Sequence, residues 1–124
     1  MKWRMPEGSI LIVDDDAFVR TLLRDMLSPR GYALAEAENG RAALALAGPP
    51  PNLVLLDLLM PQMSGMEALG QIRDRWPSAR VLVITSMDSE RLLEEAMEAG
   101  AAGYITKPFH PMEIASAVEK ALAA

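Results

Sequence analysis

Cysteine is absent from this sequence. That removes disulfides, thiolate metal sites and cysteine nucleophiles together, and it fits a reducing, cytoplasmic compartment. Histidine is nearly absent: His110 stands alone and reads as a loop residue. Lys and Arg number 12 against 17 Asp and Glu, for a formal net charge of -5. An excess of acid argues against a nucleic-acid-binding surface, which needs clustered cations. It suits a chain that holds a cation. No apolar run approaches the ~20 residues of a membrane helix. The first nine residues carry Lys2 and Arg4 but lack the apolar stretch of a signal peptide. There is no internal repeat, no low-complexity tract and no linker.

What is present is an alternation. At 124 residues the chain is long enough for one domain with a real core. Ile10-Leu11-Ile12-Val13 is uninterrupted and stops at three aspartates. Leu53-Val54-Leu55-Leu56 stops at Asp57, Val81-Leu82-Val83-Ile84 at Thr85, and Gly103-Tyr104-Ile105-Thr106 at Lys107. Four apolar residues in a row fit strands covered on both faces, as in a parallel sheet. A weaker, alanine-bearing strand over 32–37 suits an edge.

Helix-period stretches separate these runs. The stretch 17–27 sets Phe18, Leu22 and Met26 on one face. A short alanine-rich helix over 41–47 ends at Gly48 and three prolines. The stretch 65–76 aligns Met66, Leu69, Ile72 and Trp76, with Trp76 closing the helix end. The stretch 89–99 aligns Leu92, Ala96 and Ala99, and Gly100 caps it. The stretch 111–122 aligns Ile114, Val118 and Leu122. Glu94, Glu95 and Glu98 form a solvated face, and the methionines are core filler and scattered surface. The fold class is therefore α/β, a (βα)5 three-layer sandwich on a parallel sheet with right-handed crossovers. Residues 1–8, with Trp3, form an N-terminal tail, and 9–124 the domain.

Asp14, Asp15, Asp57, Thr85 and Lys107 each stand at or just past the C-terminal end of an apolar run. In an open parallel sheet those ends share one edge, where such sheets bind ligands. Taken singly, each residue has an ordinary explanation: a turn, a helix cap, a strand residue, a solvated lysine. Their joint placement points to chemistry. Two like charges ~4 Å apart repel by about 4 kcal/mol at an effective dielectric near 20. Three carboxylates together call for protons or a cation. Oxygen donors without His or Cys select a hard ion, best Mg²⁺, with Mn²⁺ as a substitute. A carboxylate nucleophile, a metal, an ammonium and a hydroxyl donor make up the needs of phosphoryl transfer.

At these residues the chain resembles the receiver domain of two-component response regulators, of the chemotaxis-regulator type. The matching stretches are ILIVDDD (10–16), LVLLDLLMPQMSG (53–65), VLVITS (81–86) and GYITKPF (103–109). The Asp57–Pro61–Gly65 spacing matches as well. The resemblance implies a flavodoxin-like sheet of strand order 2-1-3-4-5. It implies that Asp57 is the phospho-acceptor, charged by a histidine kinase or a histidine phosphotransfer protein. Asp14 and Asp15 would form the acidic pair, Asp15 the more direct metal ligand, and the backbone carbonyl of Leu59 another. Lys107 would contact the phosphoryl group, and the Lys107–Pro108 bond would be cis. Thr85 and Tyr104 would form the switch pair, Thr85 moving toward the phosphoryl group and Tyr104 rotating inward behind it. The face made by helix 89–99, strand 103–106 and helix 111–122 would meet an unknown output partner, and the last helix could support a homodimer.

Departures from the pattern are Asp16, a third acid suited to capping the first helix, and Leu59 and Met87, apolar where polar residues are common. Those two could restrict attacking water and alter the lifetime of the phosphorylated state. His110 falls where an Asp often caps the last helix. An aspartate-nucleophile phosphatase would carry a second acid at position 59, where Leu59 stands. A degenerate receiver used only for binding would lack an acid, Thr85 or Lys107, and none is missing. A histidine phosphotransfer domain would be all-helical.

Overall fold

A computed structural model describes residues 8–60, 63–86 and 89–123. Trp3, Pro61 and Met87 lie outside the described residues. Five strands, β1 (Ser9–Val13), β2 (Ala33–Ala37), β3 (Leu53–Leu56), β4 (Arg80–Thr85) and β5 (Gly103–Thr106), form one parallel sheet. Its order is β2-β1-β3-β4-β5, so the alanine-bearing strand lies at the edge as its composition suggests. The helices are α1 (Ala17–Leu27), α2 (Gly40–Leu44), α3 (Gly65–Arg75), α4 (Glu90–Glu98) and α5 (Pro111–Ala123), with a 3₁₀ turn at Ser28–Arg30.

The continuous apolar strands are explained by two separate cores. Leu11, Val13, Val54, Leu56, Val81 and Val83 face one side, against Ala43 of α2, Leu69 and Ile72 of α3, and Ala96 of α4. The alternate residues Ile10, Ile12, Leu53, Leu55, Leu82 and Ile84 face the other, against Leu23 and Leu27 of α1 and Ile114 and Val118 of α5. Side chains alternate along a strand, so both faces must be apolar when both are covered.

Two helix faces differ from the expectation. In α1 the buried residues are Leu23 and Leu27, and Phe18 is 74% exposed. The helix is turned by about one residue from the Phe18–Leu22–Met26 row, because Val19, Leu23 and Leu27 make a neighbouring apolar row. In α4 the buried pair is Leu93 and Ala96, with Leu92 partly buried and Ala99 exposed. The second helix stops at Leu44, short of residue 47. Beyond it an apolar hollow of about 260 Å³ opens among Leu34, Leu46, Pro49, Pro51 and Trp76. Trp76 does close the end of α3, its N–H bonded to the Ile72 carbonyl and its ring buried in the core.

Candidate functional site

The loops that follow β1, β3, β4 and β5 open on the same sheet edge. Val13 and Leu56 are partners in the β1–β3 ladder, so Asp14 and Asp57 leave adjacent strands together. The Asp57 N–H continues that ladder, donating to the Val13 carbonyl at 3.0 Å, and the Asp14 N–H donates to the Ala37 carbonyl at 3.2 Å. Asp14 and Asp57 are 2% and 5% exposed, and Asp15 is open to solvent. Carboxylate oxygens of the three lie within 4.8 Å of one another, so the cluster could hold a metal ion.

Each buried carboxylate is held by two contacts. Asp14 Oδ1 accepts from the Asp16 N–H at 2.9 Å, and its Oδ2 accepts from Lys107 Nζ at 2.8 Å. Asp57 Oδ1 accepts from the Leu59 N–H at 3.0 Å, and its Oδ2 lies 3.4 Å from Lys107 Nζ. Burial pushes the Asp14 carboxyl above its ordinary value, against the opposing pull of Lys107 and the Asp16 N–H, and the Asp57 charge adds to the rise. Burial alone would lower the Lys107 ammonium. The hydrogen bond to Asp14 and the charges of Asp14 and Asp57 outweigh it and hold Lys107 above its usual value. A carboxylate that is costly to ionise, beside two others, is a site that gains from a cation.

The peptide after β5 is pinned to the neighbouring strand: the Lys107 N–H donates to the Thr85 carbonyl at 2.8 Å. Thr85 itself is fully buried, and the Lys107–Pro108 bond is cis. The loop after Asp57 is fixed by glycine. Gly65 N–H donates to the Leu58 carbonyl at 3.1 Å, and a Cβ on Gly65 would fall 2.1 Å from Leu58 Cα. Only a residue without a side chain lets α3 begin against that loop. The Asp16 carboxylate accepts from the Phe18 N–H and caps α1, as its position suggests.

The structure thus brings Asp14, Asp15, Asp57 and Lys107 into one cluster and ties Thr85 to it through the backbone. Tyr104 is elsewhere. It pairs with Val83 in the β4–β5 ladder, is 49% exposed, and lines a groove with Glu90, Leu93, Glu94, Met97 and Glu98 of α4. Leu59, 44% exposed, borders a hollow beside Asp15 together with Met60, Met66 and Leu92.

One contributor was missed by the sequence, and another was placed there only by its position. Arg20 donates to the Asp14 carbonyl at 2.7 Å. His110 caps α5: its Nδ1 accepts from the Met112 N–H at 3.1 Å, and the Glu113 carboxylate returns to the His110 N–H at 2.9 Å. That reciprocal pattern is a capping box, at the position where the resemblance puts a residue that caps the last helix.

Comparison with known proteins agrees with this geometry. The model of the response regulator receiver domain matches residues 10–119. The chain belongs to that family. The receiver is 39% identical to the chemotaxis protein CheY of Thermotoga maritima over 113 residues, 90% of this chain and 94% of the relative. It is 42% identical to the transcriptional regulatory protein ResD of Bacillus subtilis, covering 94% of the receiver but 48% of that protein. Among solved structures, chemotaxis protein CheY4 of Vibrio cholerae superposes with a TM-score of 0.88 at 28% identity, covering 94% of the receiver and all of that chain. Two-component signalling is the setting of this family, and the five-stranded 2-1-3-4-5 sheet is its fold. No helix among the described residues is long and apolar enough to cross a membrane.

Proposed function

We propose that this receiver, residues 9–124 after a tail of eight, takes a phosphoryl group onto Asp57 from a phosphohistidine donor. The donor would be a histidine kinase or a histidine phosphotransfer protein. An Asp57 oxygen attacks phosphorus, the P–N bond to the imidazole breaks, and the imidazole leaves with a proton. Hydrolysis later returns the carboxylate and inorganic phosphate, so the only chemistry is on the chain itself. The observation that carries the reading is the sharing of Lys107 between buried Asp14 and buried Asp57, with Asp15 beside them.

Asp14, Asp15 and Asp57, with the Leu59 carbonyl, would hold Mg²⁺, or Mn²⁺ in its place. The all-oxygen donor set and the solvent-open Asp15 suit a hard ion that keeps several waters. When bound, the ion supplies positive charge to a phosphoryl oxygen. Lys107 serves a second oxygen and the Thr85 hydroxyl a third. Phosphorylation adds about two negative charges and three acceptors. Thr85 would shift toward them and Tyr104 would turn inward, biasing a two-state surface. A cytoplasmic location belongs to the same reading.

The output partner would meet α4, β5 and α5. Glu90, Glu94 and Glu98 repeat at i, i+4 along the groove that holds Leu93, Met97 and Tyr104. Like charges at that spacing repel, and Glu98 sits at the negative end of the helix dipole. A partner bringing cations and an apolar anchor would relieve both. A homodimer through α5 would use its outer side, since Ala115 and Ala121 are already buried in the chain's own core.

The test is intact mass after incubation with acetyl phosphate, with and without Mg²⁺, for the wild type and Asp57→Asn. One Mg²⁺-dependent phosphoryl adduct, absent in the variant, is expected. A folded wild type that gains no adduct under any condition would overturn the reading in favour of a binding module.

A further inference from the structure

The Asp14 carbonyl lies one residue past the last rung of β1, where no backbone N–H among the described residues donates to it. Arg20, one turn into α1, fills that place: its Nη1 donates to the carbonyl at 2.7 Å. The guanidinium is largely buried, its side chain 17% exposed. It is also aimed from the far side. Its Nε lies 3.3 Å from Glu36 Oε1, and Glu36 Oε2 takes Arg24 Nε at 2.6 Å. A planar fork held by two partners has little freedom left.

The Asp14 carbonyl belongs to the peptide that leads into Asp15. The Asp14 carboxylate is directed by Lys107 and the Asp16 N–H. The Asp15 carboxylate makes no hydrogen bond or ion pair among the described residues, so the backbone beneath it sets its direction. We infer that Arg20 is a positioning residue for the metal site, clamping the Asp14–Asp15 peptide so that both carboxylates face Asp57. Glu36 and Arg24 orient the clamp. This rests on the reading that the acidic cluster binds a divalent cation.

The two roles open to Arg20 predict opposite signs. A bystander cation near three carboxylates repels a metal, so its removal would tighten metal binding. A clamp that arranges the ligands improves binding, so its removal would weaken it. Outer partners of metal ligands typically contribute about 10–100-fold in affinity.

The experiment is Mn²⁺ titration of the full chain, followed by the resonance of free Mn²⁺, with thermal melts alongside. Arg20→Met should bind Mn²⁺ about 10-fold more weakly. Arg20→Lys, with charge but no fork, should fall between, and Glu36→Gln should weaken binding in the same direction. Arg30→Met, which breaks the remote Arg30–Glu119 pair (2.7 Å), should leave affinity unchanged. Affinity unchanged or tighter in folded Arg20→Met, with or without a lower melting temperature, overturns the inference. If Arg20→Met does not fold, Glu36→Gln on the edge strand decides in its place, and wild-type affinity there overturns it. A wild type that binds no Mn²⁺ overturns the metal reading itself, and this inference with it.

Discussion

Lys107 is bonded more closely to Asp14 than to Asp57: its Nζ lies 2.8 Å from one carboxylate and 3.4 Å from the other. The ammonium therefore serves as the internal counter-ion of the acidic pair, and an incoming phosphoryl group must draw it away from Asp14. Two buried acids and a third open to solvent, with one cation between the buried pair, are over-charged, which favours both a divalent ion and a swing of Lys107 toward new anionic oxygens.

Lys107→Met separates these two effects. Phosphoryl uptake from acetyl phosphate should slow by about 10²-fold, the scale set by removing one donor to developing negative charge. Binding of Mg²⁺ should be retained or tightened, because a competing cation has gone. The time course of the mass adduct and a Mg²⁺ titration test the two halves. Uptake at the wild-type rate would mean that Lys107 only neutralises Asp14.

The glycines of α3 should respond in opposite directions to the same change. Gly65→Ala would drive a Cβ to 2.1 Å from Leu58 Cα, which is backbone and cannot yield cheaply. A loss of about 3 kcal/mol or more is expected, at the upper end for overpacking, together with a displaced acceptor loop. Gly70 has nothing within 4 Å of its would-be Cβ and lies mid-helix. Gly70→Ala should stabilise by about 0.5–1 kcal/mol. Urea unfolding of the two variants checks both, and equal effects would refute the packing around Leu58.

Much of this was legible in the sequence because the strands are buried on both faces. Uninterrupted runs such as Leu53–Leu56 have few alternatives, and each of the four clearest runs ends on a residue of the site or its rim. The phase of α1 was not legible. Leu22 and Leu23 lie on adjacent apolar rows, and periodicity cannot choose between rows 100° apart. The role of Arg20, and the partners of the His110 cap, were hidden for a related reason. Each acts through a backbone group, the Asp14 carbonyl or the Met112 N–H, and backbone partners leave no trace in residue type. Tyr104 was placed with Thr85 by resemblance alone. In the structure it lines the α4 groove, and its ladder partner on β4 is Val83, while Thr85 pairs with Thr106.

Tyr32 gives the fold a pH dependence remote from the site. Burial raises its phenol above the usual value, and the Glu119 charge adds to the rise against an opposing effect of Arg30. The folded state thus favours the neutral phenol. Its contribution is complete below the ordinary value near 10 and is lost as pH rises through the higher folded value, because the unfolded chain releases the proton first. Tyr32→Phe should therefore flatten the fall in stability as pH rises above about 10. Denaturant midpoints of variant and wild type across that window measure it, and parallel curves would show that Tyr32 titrates as it does in the unfolded chain.

The acidic row of α4 should show function opposing stability. Glu94 sits four residues from both Glu90 and Glu98, and all three are exposed. Glu94→Arg turns two repulsive i, i+4 pairs into attractive ones. Each favourable pair contributes about 0.2–0.5 kcal/mol and each unfavourable one costs a similar amount. Those four changes sum to about 0.8–2 kcal/mol, and trading the Arg91–Glu94 attraction at i, i+3 for a repulsion takes back about half, leaving a gain of about 0.5–1 kcal/mol. Phosphoryl uptake at Asp57 should be unaffected, since Glu94 takes no part in the acidic cluster. The output partner, once in hand, should bind the variant more weakly, with a shallower salt dependence than it shows toward the wild type. If Glu94→Arg is more stable and binds that partner as well as the wild type does, the acidic row is a plain solvated face and recognition lies on β5 and α5.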